Sequence, residues 1–222
     1  MKAAAAARAL ELVRPGMVVG LGTGSTAALF LRGLGAMVRD GLDVCGVPTS
    51  REAERLAREC GIPLLEDLAG RIDLDVDGAD EIDPELNLVK GGGGAHLREK
   101  LVAESADRFV VIADETKLVG SLGATVPVPV EVVPFLWRRT AARLEEMGLA
   151  WSLRGGEGAA FETDNGNLVL ELAVPGGIPD PAALGARLKA VTGVVEHGIF
   201  AHLAVACLVG EAAGVRVLGQ LD

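Results

Sequence analysis

Residues 17–27, Met-Val-Val-Gly-Leu-Gly-Thr-Gly-Ser-Thr-Ala, run from a short β-branched stretch through alternating glycines into a helical pattern. Strand, glycine loop and helix in that order open a βαβ unit, and the segments that follow repeat the alternation. Leu42 to Val47 reads as the next strand, and Pro48-Thr-Ser-Arg-Glu as the capped start of a helix running towards Cys60. Arg71 to Val76 and Arg108 to Ala113 read as two further strands, each ending in an acidic loop, with a helix over Ala95 to Ala106 between them. Such alternation predicts an α/β fold, a Rossmann-like, mostly parallel sheet with helices on both faces. Right-handed crossovers then bring the polar loops at the strand ends along one rim, where open α/β sheets bind ligands.

On the N-terminal side lies an alanine-rich helix ending near Arg14-Pro15-Gly16. On the C-terminal side the texture changes after Val126. Pro127, Pro129 and Pro134 bracket a strand, a helix covers roughly Leu136 to Met147, and Leu149 to Leu153 reads as a strand. Asn165-Gly166 marks a hairpin tip before Leu168-Val-Leu-Glu-Leu, a helix follows from Pro181 to Val191, and Val194 to Phe200 closes the series as a strand. These signals predict a small α+β domain at 127–199. The Rossmann-like domain then takes 1–126 and 200–222, with Leu203 to Leu208 and Val215 to Leu218 returning to the main sheet.

The 222 residues carry 21 Lys and Arg against 31 Asp and Glu, a net charge of −10, which is the wrong sign for general attraction to nucleic acid. Any anion must be captured locally. Half the residues are apolar, yet charges recur throughout, so no run approaches the roughly 18 apolar residues a membrane span needs. No secretory signal pattern opens the chain, which predicts a cytoplasmic protein. Cys45, Cys60 and Cys207 are scattered and odd in number, the pattern of buried inert thiols rather than a disulfide framework or a cysteine zinc site.

Three loops can carry chemistry. Gly20-Leu-Gly-Thr-Gly-Ser-Thr-Ala27 lets backbone amides approach a phosphate at a helix N-terminus. It is neither a Walker A loop nor a full dinucleotide fingerprint. Asp77-Gly-Ala-Asp80-Glu81-Ile-Asp83 crowds carboxylates beyond a strand: a metal site, a set of acceptors for sugar hydroxyls and a solvated acidic turn all fit. Lys90-Gly-Gly-Gly-Gly-Ala-His-Leu-Arg-Glu99-Lys100 places four costly glycines before a helix, where they permit close backbone approach and supply amides to a developing oxyanion. Glu99 alone reads as a solvent-facing helix residue, and His96 as a rival base, a cap or a packing residue.

Together these segments, with Ile112-Ala-Asp114, Lys117, Pro129-Val-Glu-Val-Val-Pro134, Thr163-Asp-Asn-Gly-Asn167 and Gly193-Val-Val195, closely resemble ribose-5-phosphate isomerase of the A type over nearly the whole chain. Gly94, usually alanine in relatives, and His96 depart from the pattern. The resemblance implies a metal- and cofactor-independent aldose-ketose isomerase of the non-oxidative pentose phosphate pathway, interconverting ribose 5-phosphate and ribulose 5-phosphate, commonly as a homodimer or homotetramer. Glu99 falls on the family's catalytic base. Lys90, Asp77 and Asp80 fall on groups that assist the chemistry. Thr23, Gly24, Ser25 and Thr26, then Asp77, Gly78, Ala79 and Asp80, then Lys90, Gly91, Gly92 and Gly93 fall on its substrate loops. Lys117 and Lys2 fall on phosphate contacts. Two rivals are a nucleotide-dependent oxidoreductase using the first glycine loop and a non-catalytic sugar-phosphate sensor, which would need neither Glu99 nor Lys90.

Overall fold

Along Leu74-Asp-Val-Asp77 every side chain is buried, and successive residues of a strand point to opposite faces. Leu74 and Val76 therefore enter one layer, Asp75 and Asp77 another. The structure is a computed structural model that describes residues 1–65 and 70–221, so residues 66–69 and 222 of the expected Rossmann-like domain lie outside the described residues. Its main sheet contains β1 (Val18–Leu21), β2 (Cys45–Pro48), β3 (Leu74–Asp77), β6 (Phe109–Asp114), β12 (Ala206–Glu211) and β13 (Gly214–Gly219), in the order β13-β12-β6-β3-β1-β2. All neighbours are parallel except the β12–β13 edge pair.

Helices α1 (Lys2–Leu10), α2 (Ser25–Arg39) and α3 (Arg51–Glu59) cover one face. Ala5, Ala9, Phe30, Leu34, Ala53 and Ala57 from these helices form one cluster with Val19, Leu21, Leu74, Val76, Val110, Ile112 and Leu208 from alternate strand positions. Full burial of one such Phe or Leu contributes roughly 1.5–3 kcal/mol, so this layer anchors the sheet. A β-carbon on Gly20 would point the other way, into Asp75 and into Val102 of α4 (His96–Glu104), so α4 covers the face that carries the aspartates. The fold is α/β, with a mainly parallel sheet between helices. Ser50 caps α3 as its sequence predicts, its Oγ accepting from the Ala53 amide at 2.9 Å.

The chain divides into two compact units. The first is Met1–Ala79, Arg98–Lys117 and Leu203–Asp222, and the second is Asp80–Leu97 and Leu118–His202. In the second, β7 (Val128–Val132), β8 (Ala150–Leu153), β9 (Leu168–Ala173) and β10 (Val194–His197) form an antiparallel sheet in the order β10-β7-β9-β8. Val128, Val130, Val132, Leu170 and Leu172 of this sheet pack with Ala141 and Leu144 of α5 (Trp137–Glu146) and Leu188 of α6 (Pro181–Lys189). A further sheet, β11-β5-β4, is made from β4 (Glu81–Ile82), β5 (Leu88–Val89) and β11 (Ile199–Phe200).

The expected small domain at 127–199 lies inside the second unit, which also takes in 80–97, 118–126 and 200–202. Two-residue strands leave no periodic signal, yet they tie these segments in. β5 pairs with β4 and β11, and Ile82 bridges to Leu118. The Glu81 carboxylate, fully buried, accepts from the amides of Gly123, Thr125 and Val126. The single strand expected over Val194 to Phe200 is two strands in different sheets. At Gly198 the backbone donates to Pro129 O and accepts from the Lys90 amide, so the chain changes partners there.

All three cysteines are free, Cys45 and Cys60 half-buried and Cys207 buried. Burial pushes the Cys207 thiol up to about 12, which keeps it protonated and unreactive. Among the described residues no helix is long and apolar enough to cross a membrane.

Candidate functional site

In the first unit the Gly20 to Ala27 loop is held from below. Gly22 lies so close over Asp77 that any β-carbon there would collide with the Asp77 carboxylate, and Asp77 Oδ1 accepts from the amides of Thr23 (2.9 Å) and Gly78 (2.7 Å). The Thr23 hydroxyl is bonded to Thr49 Oγ1 (2.8 Å) and Ser50 Oγ (2.7 Å). Thr49 and Ser50, both buried, are bracing residues that motif reading passed over. The signal was available, because β1 and β2 are parallel neighbours and their C-terminal loops must lie side by side.

Helix α2 starts at Ser25, with Gly24 as N-cap and no side-chain cap. Its first amides therefore need an external acceptor, and the helix dipole favours an anion there. Ser25 is exposed and Thr26 buried. Lys2 Nζ donates to Ser25 Oγ at 2.9 Å and lies 3.9 Å from Asp114 Oδ2. The Thr116 hydroxyl, with its amide, holds the Asp114 carboxyl below the usual carboxylate range against the opposing effect of burial, and the charges of Lys2 and Lys117 add to this. Lys2 thus links Ser25 to Asp114, whose carboxylate also feels the charge of Lys117. Gly78 and Ala79, half-buried, end this part of the unit.

In the second unit Asp80 is half-buried, and its Oδ2 accepts from the Gly92 amide at 2.7 Å. The acidic run is not one site. Glu81 and Asp83 are turned to structural work, Asp83 accepting from the Glu85 and Asn87 amides and the Asn87 side chain. Among the described residues no group of three or more His, Cys, Asp or Glu side chains is arranged to hold a metal ion.

Lys90 is 3% exposed, its ammonium 5.6 Å from the centre of the Phe200 ring. Beyond it a tight turn closes by a bond from the Gly94 amide to Gly91 O (2.9 Å), leaving Gly92 and Gly93 exposed at its tip. Gly91 has φ +100°, and a β-carbon there would lie 2.7–2.9 Å from the His96 ring, so no other residue fits without strain. His96 is fully buried and 3.8 Å from Glu131, whose Oε1 accepts from Thr163 and Asn167 (both 2.8 Å). This is a packing position beneath the turn.

Glu99 lies in the first turn of α4, which belongs to the first unit from Arg98 onward. Val102 and Ala103 of this helix are buried, but residues 99–101 reverse the usual pattern. Glu99 and Lys100 are 5% and 6% exposed, whereas Leu101 is 56% exposed. Burying two ionisable groups while leaving a leucine in water opposes the hydrophobic effect, so the arrangement has a purpose other than stability. The solvent-facing position that local sequence suggests for Glu99 is not the one it takes.

The sequence matches the family described as Ribose 5-phosphate isomerase A (phosphoriboisomerase A) over residues 45–214. A protein of Nitrobacter hamburgensis named ribose-5-phosphate isomerase A is 51% identical over 227 aligned positions, covering 98% of this chain and 97% of the relative. One of the same name from Thermomicrobium roseum is 50% identical, covering 98% and 92%. Ribose 5-phosphate isomerase A of Methanocaldococcus jannaschii superposes with a TM-score of 0.93 at 44% identity, covering 99% of this chain and 98% of that one. A D-ribose-5-phosphate isomerase solved in complex with phospho-erythronic acid gives 0.94 at 42% identity, covering 99% and 97%.

Proposed function

Because the chain belongs to the ribose 5-phosphate isomerase A family, we propose that it interconverts D-ribose 5-phosphate and D-ribulose 5-phosphate through an enediolate, with Glu99 as the base. The observation that carries the role of Glu99 is its burial on a helix that leaves Leu101 in solvent, one turn past the glycine turn. In this reading Glu99 takes the proton from C2 and returns it at C1 while the O2 proton passes to O1, so no electron acceptor is needed. Lys90 and the amides of the Gly91 to Gly93 turn stabilise the enediolate oxygens. Ring opening falls to the Asp77 and Asp80 carboxylates. The half-buried Asp80 has the exposure that proton exchange with a sugar hydroxyl requires, while Asp77 Oδ1 already accepts from two amides.

The 5-phosphate is assigned to the Thr23 to Thr26 loop with Lys2 and Lys117, supported by the uncapped start of α2 and the two lysines around Asp114. Binding energy from this remote group serves the reacting carbons. Ser25→Ala, Thr26→Ala and Lys117→Ala are each expected to raise KM by about 10-fold while kcat falls less, the scale of one lost charge-assisted hydrogen bond. Calorimetry showing parental affinity for ribose 5-phosphate in all three variants would move the phosphate elsewhere.

The direct test is ketose formation from ribose 5-phosphate without added nucleotide or metal, which also separates an isomerase from a sensor of the same fold. Activity is expected to survive prolonged chelation. Loss on chelation, restored by one divalent ion, would return the 77–83 carboxylates to consideration as a metal site. The cytoplasmic setting, the pathway and a homodimeric or homotetrameric state belong to the same reading, the last checked by light scattering.

A further inference from the structure

Behind the glycine turn stands a cation that the mechanism above does not use. Arg154 follows β8, its backbone locked by bonds from its amide to Val169 O (2.9 Å) and from the Phe161 amide to its carbonyl (2.9 Å). Its Nη1 donates to Gly91 O (3.0 Å) and Gly92 O (3.3 Å), its Nε donates to Glu171 Oε1 (2.5 Å), and its guanidinium lies 5.4 Å from the centre of the Phe161 ring. The Arg154 and Glu171 side chains are 16% and 18% exposed. A guanidinium suits this task because its rigid fork can serve a carboxylate and two carbonyls at once.

The consequence follows from peptide planarity. In a trans peptide the N–H points away from the C=O of the same unit. With the Gly91 and Gly92 carbonyls turned to Arg154, the amides of Gly92 and Gly93 face the opposite side. The Gly92 amide meets Asp80 there. A positive charge on the carbonyl side also polarises each peptide and strengthens its N–H as a donor. Glycine peptides rotate easily, and a flipped one would aim its carbonyl oxygen at a developing anion.

We propose that Arg154 is a positioning residue for the isomerisation, holding the Gly91 and Gly92 carbonyls so that the Gly92 amide keeps its bond to Asp80 and the Gly93 amide faces the enediolate. The proposal rests on the reading that the turn acts on the enediolate. Without that task, Arg154 would only tie the β8–β9 hairpin to the turn.

The test uses Arg154→Met combined with Glu171→Gln, so that no carboxylate is stranded, and Arg154→Lys, which keeps the charge but loses the fork. In both, kcat is expected to fall about 10- to 100-fold, somewhat less than removal of an oxyanion donor outright. KM for ribose 5-phosphate should change little. Affinity for 4-phosphoerythronate, whose carboxylate presents two oxygens as the enediolate does, should fall with kcat. Amide exchange at Gly94 should accelerate relative to the parent. Folded variants with kcat within twofold of the parent, or a loss confined to KM, overturn the proposal. A parent that fails to convert ribose 5-phosphate overturns the functional reading instead, and there unchanged exchange at Gly94 would also remove Arg154 from control of the turn.

Discussion

Glu99→Gln is expected to lower kcat for ribose 5-phosphate by about 10² to 10⁴, with more lost where no other group can take the proton. Substrate affinity should change far less. The amide keeps the size of the side chain and can hydrogen-bond a hydroxyl, but it cannot accept the C2 proton. Glu99 is in the first turn of α4, where the helix dipole favours an ionised carboxylate, and it is 5% exposed, so bulk water does not compete for it. The other groups nearby in sequence are poorly suited. His96 is fully buried beneath Gly91 and beside Glu131, and Glu104 is exposed at the far end of the helix.

Isotope exchange gives the sharper readout. In D₂O the parent should incorporate deuterium at the reacting carbon during turnover, unless Glu99 returns the same proton before exchanging it. The glutamine variant should neither exchange nor isomerise at comparable rates. Near-parental isomerisation by Glu99→Gln would sink the assignment, and His96→Ala and Glu104→Gln would become the next variants to measure.

What the sequence disclosed and what it withheld divide along a physical line. The main sheet was legible because each of its βα steps leaves a local trace: Val18 to Leu21 is an apolar run, glycine ends it, and Ser50 announces the next helix. The second unit's β4 and β5 were not, since two residues cannot show a period and β5 takes its second partner more than a hundred residues away, as between Val89 and Ile199. The same distinction holds for the candidate site. Glycine runs advertise the loops, because glycine is costly wherever it is not needed. Their supports are silent in sequence: Thr49 and Ser50 lie 26 and 27 residues from Thr23, and Arg154 is 63 from Gly91. Glu99 stood between these cases. Its local surroundings suggest a solvated helix residue, and only the resemblance singled it out before the burial of the helix was known.

Glu81→Ala is expected to destabilise the second unit by about 3 kcal/mol or more. The Glu81 carboxylate is fully buried and serves four donors. Oε1 accepts from the Thr125 amide (2.5 Å), the Thr125 hydroxyl (2.6 Å) and the Val126 amide (3.1 Å), and Oε2 accepts from the Gly123 amide (2.5 Å). Alanine removes every acceptor at once and leaves a cavity that the short strand β4 cannot close. Glu81→Gln should cost about 1–2 kcal/mol, because its single oxygen can take the place of Oε1 while its NH₂ then faces the Gly123 amide donor to donor. The ranking parent, Gln, Ala in urea unfolding separates this account from one based on side-chain volume, in which glutamine would match the parent. An alanine variant within about 0.5 kcal/mol of the parent would show that the carboxylate does not tie residues 118–126 to β4. Faster proteolysis between Gly120 and Val126 in the alanine variant alone would show that it does, the stretch then being held by the bonds of Ser121 and Leu122 to Ile178, the buried Leu122 side chain, the Ile82–Leu118 bridge and the start of β7.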